Sequence, residues 1–167
     1  CELEFIIVTG DMDTLQLIDE QTRVYSMARG VNQAVMYDIA KVQERYGLHP
    51  SQFVDFKALK GDASDNIPGV PGIGEKGATN LIQKFGSLEN MYKVLNPKSE
   101  IRNPKQISNK ENDKIIQNNT IISEKLLKIL IENKEQAFLS QKLSRILDEA
   151  PIDFELSSAK VHDYDKE

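Results

Sequence analysis

From Gly61 to Lys76 the chain reads GDASDNIPGVPGIGEK, and no other stretch limits the possible folds so tightly. Pro68, Gly69, Pro71, Gly72 and Gly74 can hardly pack a core or continue a helix, so this run must be a turn between two elements. Glycines let backbone N–H groups approach an anion closely, and the start of a following helix adds a favourable dipole. Val70 and Ile73 alternate with the glycines and can anchor the turn to its neighbours. A G-I-G between two helices is a helix–hairpin–helix signature, which grips a sugar–phosphate backbone without reading bases. Gly69, Val70, Gly72, Ile73, Gly74 and Lys76 are therefore the candidate nucleic-acid contacts. The competing reading is a turn with a purely structural role.

Two acidic pairs give this stretch its chemistry. In GDASD, Asp62 and Asp65 share one face if the segment is helical. In TGDMD, Asp11 and Asp13 lie just past a strand end, where ligands bind in open α/β sheets. In extended chain, residues at i and i+2 project to the same side. Like charges so close need a cation between them, and hard oxygen ligands without nearby histidine or cysteine suit Mg²⁺ or Mn²⁺. Two carboxylate pairs from different elements meet the needs of a phosphodiesterase with two metal ions roughly 3.5–4 Å apart. Asp11, Asp13, Asp62 and Asp65 are thus the candidate metal ligands and catalytic residues. The competing readings are a helix N-cap for Asp11 or Asp13 and solvated turn residues for Asp62 and Asp65.

Net charge over the 167 residues is −5, with 40% apolar residues, an ordinary globular balance. Residues 1–50 carry 8 acidic against 4 basic residues, so the acid excess is local and does not exclude a nucleic-acid partner. Cys1 is the single cysteine, which rules out an internal disulfide and favours a reducing, cytoplasmic setting. No apolar run approaches a membrane span, and no signal-peptide pattern opens the chain. The chain enters a strand almost at once and does not start at methionine, so it is expected to be a piece of a longer protein.

Residues 4–10 read as a buried strand and residues 22–27 as a second, with one or two helical turns over DTLQLI between them. A helix is expected through Val35, Ile39, Val42 and Tyr46, stopped by Gly47. Another opens at Pro50-Ser51 and uses Phe53, Phe56 and Leu59. Residues 75–85 form the next helix, ended by Gly86, and Ser87 caps one that uses Leu88, Met91, Tyr92 and Leu95. The polar, Asn/Lys-rich residues 96–120 read as a flexible insertion. Helices are expected over 121–132 and 134–142, LSRIL as a returning strand, and a polar tail after Pro151. His49 and His162 read as solvated bystanders.

VTGDMDTLQL, FKALKGDASDNIPGVPGIGEKGATNLIQKFGSLENMY and ENKEQAFLSQKLSRI together resemble the 5′-nuclease domain of bacterial DNA polymerase I, within the flap-endonuclease-like superfamily. The resemblance covers nearly all of the chain except the insertion. It implies an α/β plus mostly α fold: part of a PIN-like α/β nuclease core with a helical arch or clamp, and a helix–three-turn–helix (helix–hairpin–helix, SAM-like) subdomain. The expected division is core over 1–34, the helical DNA-binding subdomain over 35–133, and a return to the core with the tail over 134–167. By the same resemblance, Asp11, Asp13, Asp62 and Asp65 hold two Mg²⁺ or Mn²⁺ ions. Gly72 and Gly74 hold the DNA backbone, often through a monovalent cation such as K⁺ on main-chain carbonyls. Gly77 stands where similar sequences usually carry threonine.

The implied activity is structure-specific 5′→3′ exonuclease and flap endonuclease action on duplex or flap DNA in replication and repair. The remaining carboxylates and the basic residues that position the phosphate would lie in an upstream half of the domain, with a polymerase fused downstream as a further expectation. Alone, the chain is expected to bind duplex DNA weakly and cut it negligibly. The alternative of another class is a non-catalytic helix–hairpin–helix module gripping DNA for a neighbouring domain.

Overall fold

The computed structural model describes residues 3–28, 30–95, 114–117 and 120–160. They form a mostly helical protein with a small three-stranded sheet and a separate two-stranded one. Strand β1 (Phe5–Thr9) runs parallel to β2 (Thr22–Ser26), with Phe5 opposite Thr22 and Thr9 opposite Ser26. A 3₁₀ turn over Met12–Leu17 connects them and buries Leu15. Strand β3 (Val35–Tyr37) is antiparallel to β2, pairing Val24 with Tyr37. The first strand reads as buried in a whole nuclease core but, in this chain alone, as one with unpaired edges and an uncovered apolar face. It does pair with β2 along one edge, and its Phe5, Ile6 and Val8 are 48%, 53% and 60% exposed.

Val35 lies in β3 and not at the head of the expected helix. Asp38 sets the boundary: it adopts extended backbone and its carboxylate accepts from the Lys41 N–H at 2.7 Å, so helix α1 spans Ile39–Tyr46. Gly47 ends α1 in the left-handed region at φ 69°. A 3₁₀ turn over Pro50–Gln52, capped by His49, then leads into α2 (Phe53–Lys60).

Helix α2 is the centre of the packing, lying against α3 (Glu75–Phe85) and α6 (Lys134–Ser144). Phe53, Phe56, Ala58 and Leu59 are all buried, and Phe53 and Phe56 stack with Tyr46 at ring distances of 5.2–6.1 Å. Phe53, Phe56 and Leu59 each contribute about 1.5–3 kcal/mol by leaving water. Gly86 ends α3, and the Ser87 hydroxyl accepts from Asn90 N–H to open α4 (Leu88–Leu95). Asp55, also buried, accepts from the Leu88 N–H and the Gln141 amide and so ties α2, α4 and α6 together.

Most of the expected insertion, residues 96–113 and 118–119, lies outside the described residues, as do His162 and Cys1. The rest departs from expectation: β4 (Lys114–Gln117) pairs antiparallel with β5 (Thr120–Ser123), with Ile115 opposite Ile122. Helix α5 (Glu124–Glu132) therefore begins at Glu124, because the Ser123 hydroxyl caps it by accepting from Leu126 N–H. Nor does LSRIL return as a strand. Helix α6 continues to Ser144, and residues 145–150 are irregular. The Gln16 side chain replaces a strand ladder there, donating to Ser144 C=O at 3.1 Å and accepting from Ile146 N–H at 3.0 Å. Among the described residues no helix is long and apolar enough to cross a membrane.

Candidate metal centre and nucleic-acid interface

Three of the four predicted carboxylates meet. Asp13, Asp62 and Asp65 each offer an oxygen, and these oxygens all lie within 4.8 Å of one another. Asp13 reaches this point from the 3₁₀ turn after β1, at the carboxyl end of the parallel strand pair. Asp11 is not a member of the group. It is exposed, and its carboxylate accepts from Asp13 N–H at 2.9 Å, which caps the 3₁₀ turn that carries Asp13.

Asp62 and Asp65 come together by a different route from the one-helix-face geometry considered for them. Helix α2 stops at Gly61, and the chain then closes on itself through two backbone bonds of 2.8 Å between Asp62 and Ile67. Asn66, at φ 55°, takes the tight corner. This clamped loop, and not a helical face, turns both carboxylates toward Asp13. Ser64 fixes the first of them by donating its N–H to Asp62 at 2.9 Å and its hydroxyl to the same oxygen. That hydroxyl bond, together with the Lys57 ammonium, holds the Asp62 carboxyl down at about 2.

Lys57 is the residue that sequence reasoning missed. Its side chain is only 4% exposed, and its ammonium bonds Asp13, lies 2.9 Å from Asp62 and lies 3.6 Å from Asp65. Burial works against its charge, but hydrogen bonds to Asp13 and Asp62 outweigh it and raise the pKa above the ordinary lysine value. Burial also raises the Asp13 carboxyl, with Lys57 partly offsetting it. The available signal was a lysine flanked by Phe56 and Ala58 in the run FVDFKALK, one of two lysines in that helix.

The glycine hairpin follows directly. Val70 N–H donates to Leu59 C=O at 2.8 Å and Ile73 N–H to Val70 C=O at 3.1 Å, while the Val70 and Ile73 side chains are buried. The side chains and N–H groups of these two candidates are thus committed to the fold, and neither offers a side chain to a ligand. Gly69 is buried too, held by α6: its N–H donates to the Ser140 hydroxyl at 3.1 Å and its C=O accepts from the Gln136 amide at 2.7 Å. Gly72, Gly74 and Lys76 are exposed. Gly74 sits at the N-cap of α3 with no side chain to bond the first-turn amides, and a Cβ added there would meet nothing within 4 Å. These amides open a face that suits an anion. An open groove of about 660 Å³ lies beside the acidic loop, lined by Lys60, Asp62, Ala63, Asn66 and Pro68.

The donor set suits a hard divalent cation: three carboxylates, no sulfur and no imidazole. Lys57 offsets one of the three negative charges, which leaves the cluster formally anionic.

Residues 48–167 match the family described as 5'-3' exonuclease, C-terminal SAM fold. The chain is 42% identical over 150 residues to DNA polymerase I of Lactococcus lactis, covering 90% of this chain and 14% of that protein. It is 39% identical over 163 residues to the 5'-3' exonuclease of Buchnera aphidicola, covering 96% of this chain and 49% of that one. The chain thus spans half or less of these relatives' lengths. In fold it is similar to bacteriophage T5 flap endonuclease, solved as a pseudo-enzyme-product complex with DNA and metal ions. The TM-score is 0.60 at 21% identity, covering 84% of this chain and 42% of the other.

Proposed function

We propose, from the premise that this chain belongs to the 5'-3' exonuclease C-terminal SAM-fold family, that it is the part of a 5′-nuclease that helps hold the metal and grips the DNA backbone. The activity is structure-specific 5′→3′ exonuclease and flap endonuclease cleavage of DNA, within a DNA polymerase I-type protein acting in the cytoplasm. The observation that carries this reading is the convergence of Asp13, Asp62 and Asp65 within 4.8 Å, one clamped loop away from the glycine hairpin.

Asp13, Asp62 and Asp65 would hold Mg²⁺ or Mn²⁺, with Asp11 fixing the turn that presents Asp13 or adding a ligand of its own. Two bound divalent ions would activate a water and stabilise the leaving oxygen of a phosphodiester. Ser64 and Lys57 orient the Asp62 carboxylate before any substrate arrives. Gly72, Gly74 and the first-turn amides of α3 would take the DNA backbone, directly or through a K⁺ ion on main-chain carbonyls, with exposed Lys76 alongside. Such contacts set register on the duplex without reading its sequence.

A binder without catalysis has no use for three carboxylates beside its DNA-facing groove, where they would repel phosphate. The two readings part in one assay on the intact protein that carries these residues. Incubation of a 5′-flapped duplex in Mg²⁺ is expected to release the flap, and chelation is expected to stop it. Tight duplex binding with no release in Mg²⁺ or Mn²⁺ would favour the binding module.

A further inference from the structure

Lys57 occupies a position that packing alone does not explain. Its neighbours in α2, Phe56 and Ala58, are fully buried, and an apolar side chain would fill that place without the cost of burying an ammonium. Instead the Lys57 nitrogen lies among the three carboxylates whose oxygens cluster within 4.8 Å. A divalent ion bound by those same oxygens would have to share the space with a unit positive charge a few ångströms away. We infer that Lys57 is a built-in counter-cation: it holds Asp13, Asp62 and Asp65 together in the metal-free protein, and divalent-ion binding displaces it. This inference rests on the metal reading given above.

The chemistry of the side chain suits the exchange. An ammonium is a compact point charge on a flexible four-carbon stem, whereas a guanidinium locks a carboxylate in a planar fork. Lys57 can therefore cancel repulsion when the site is empty and leave without a change in the backbone of α2. Asp62 lines the open groove and Asp65 is exposed, so the carboxylate cluster that Lys57 bonds lies open to solvent on that side. The consequence is a site whose geometry exists before metal arrives, at the cost of weaker metal binding. Lys57 is thus a positioning residue with an effect opposite in sign to that of a ligand.

The test is calorimetric titration of Mn²⁺ into the intact protein, unaltered and as Lys57→Met, with thermal melts of both in chelator. Lys57→Met is expected to bind Mn²⁺ about tenfold or more tightly, since a like charge has left the site. Without metal it is expected to melt below the unaltered protein, and Mn²⁺ is expected to raise its melting point by the larger increment. Lys60→Met is the control for net charge, because the Lys60 ammonium lies over the Phe56 ring, and it is expected to change affinity less than about twofold. Equal or weaker Mn²⁺ binding by Lys57→Met would overturn the inference alone. Absence of Mn²⁺ binding in every form would overturn the metal reading with it. If Lys57→Met does not fold without metal, crystal structures of the unaltered protein with and without Mn²⁺ decide. The ammonium should leave Asp13 and Asp62 when the ion is bound, and its staying within hydrogen-bond distance of both would refute displacement.

Discussion

Gly69 lies against Gly61 so closely that a Cβ on Gly69 would come within 2.3 Å of the Gly61 nitrogen and 2.6 Å of its Cα. Gly61 immediately precedes the acidic loop, and Gly69 opens the hairpin. Their contact sets the clustered carboxylates beside the glycine turn proposed to grip the backbone. Gly69→Ala is therefore expected to destabilise the protein by about 3 kcal/mol or more, through strain at φ +61° and a clash with backbone that cannot move aside. Denaturant unfolding measures it, and a cost under about 1 kcal/mol would mean that the crossing is loose.

Gly74 is the contrasting case. Its backbone is extended at φ −91°, and open space surrounds the place a Cβ would take. Gly74→Val should leave stability within about 1 kcal/mol of the original. It should weaken binding to all duplex sequences alike, because phosphate contacts carry no sequence information. Fluorescence anisotropy on unrelated duplexes checks this, and a changed sequence preference would reject the hairpin assignment.

Ser140 supports the same crossing from α6. Its hydroxyl, fully buried, is the acceptor for Gly69 N–H, so Ser140→Ala strands a buried donor. The expected cost is about 1–3 kcal/mol. Ser140→Thr keeps the hydroxyl and should recover part of the loss in the same chemical melt.

Tyr92 gives the protein an alkaline limit. Its hydroxyl donates to Leu130 C=O at 3.0 Å, joining α4 to α5, and burial pushes its pKa from 10.0 up to about 12. The folded state thus favours the neutral phenol. That contribution is full below pH 10 and is lost as pH rises through about 12. Tyr92→Phe should lower stability by about 1 kcal/mol at neutral pH and flatten this part of the alkaline slope. An unchanged slope between those pH values would assign the loss to other groups.

The sequence disclosed the parts of this site that depend on short-range rules. Gly86 and Ser87 mark one helix end and the next start, and GDASD followed by GVPGIG marks a carboxylate pair before a backbone-exposing turn. Short apolar runs were harder. Val35, Ile121 and Leu143 satisfy helix and strand spacing equally over a few residues, and partners outside each run decided the outcome. Val35 pairs with Ser26, Ile121 pairs with Ile116, and the segment after Leu143 is claimed by Gln16. Lys57 was hidden for the same reason. Its role comes from carboxylates on two separate loops, and only the packing of α2 beside both brings them into reach.

The most direct test of the account is Asp62→Asn in the intact protein, comparing flap cleavage in Mg²⁺ with duplex affinity in chelator. The Asp62 carboxyl is held down at about 2, fixed by Ser64 and Lys57. Its loss removes one of three clustered carboxylates and leaves the amides around Gly74 untouched. Cleavage is expected to fall by at least about 100-fold, the scale of losing a group that stabilises charge on the reacting phosphate, while affinity changes less than about threefold. Full cleavage by Asp62→Asn would contradict the assignment of this cluster as the metal centre.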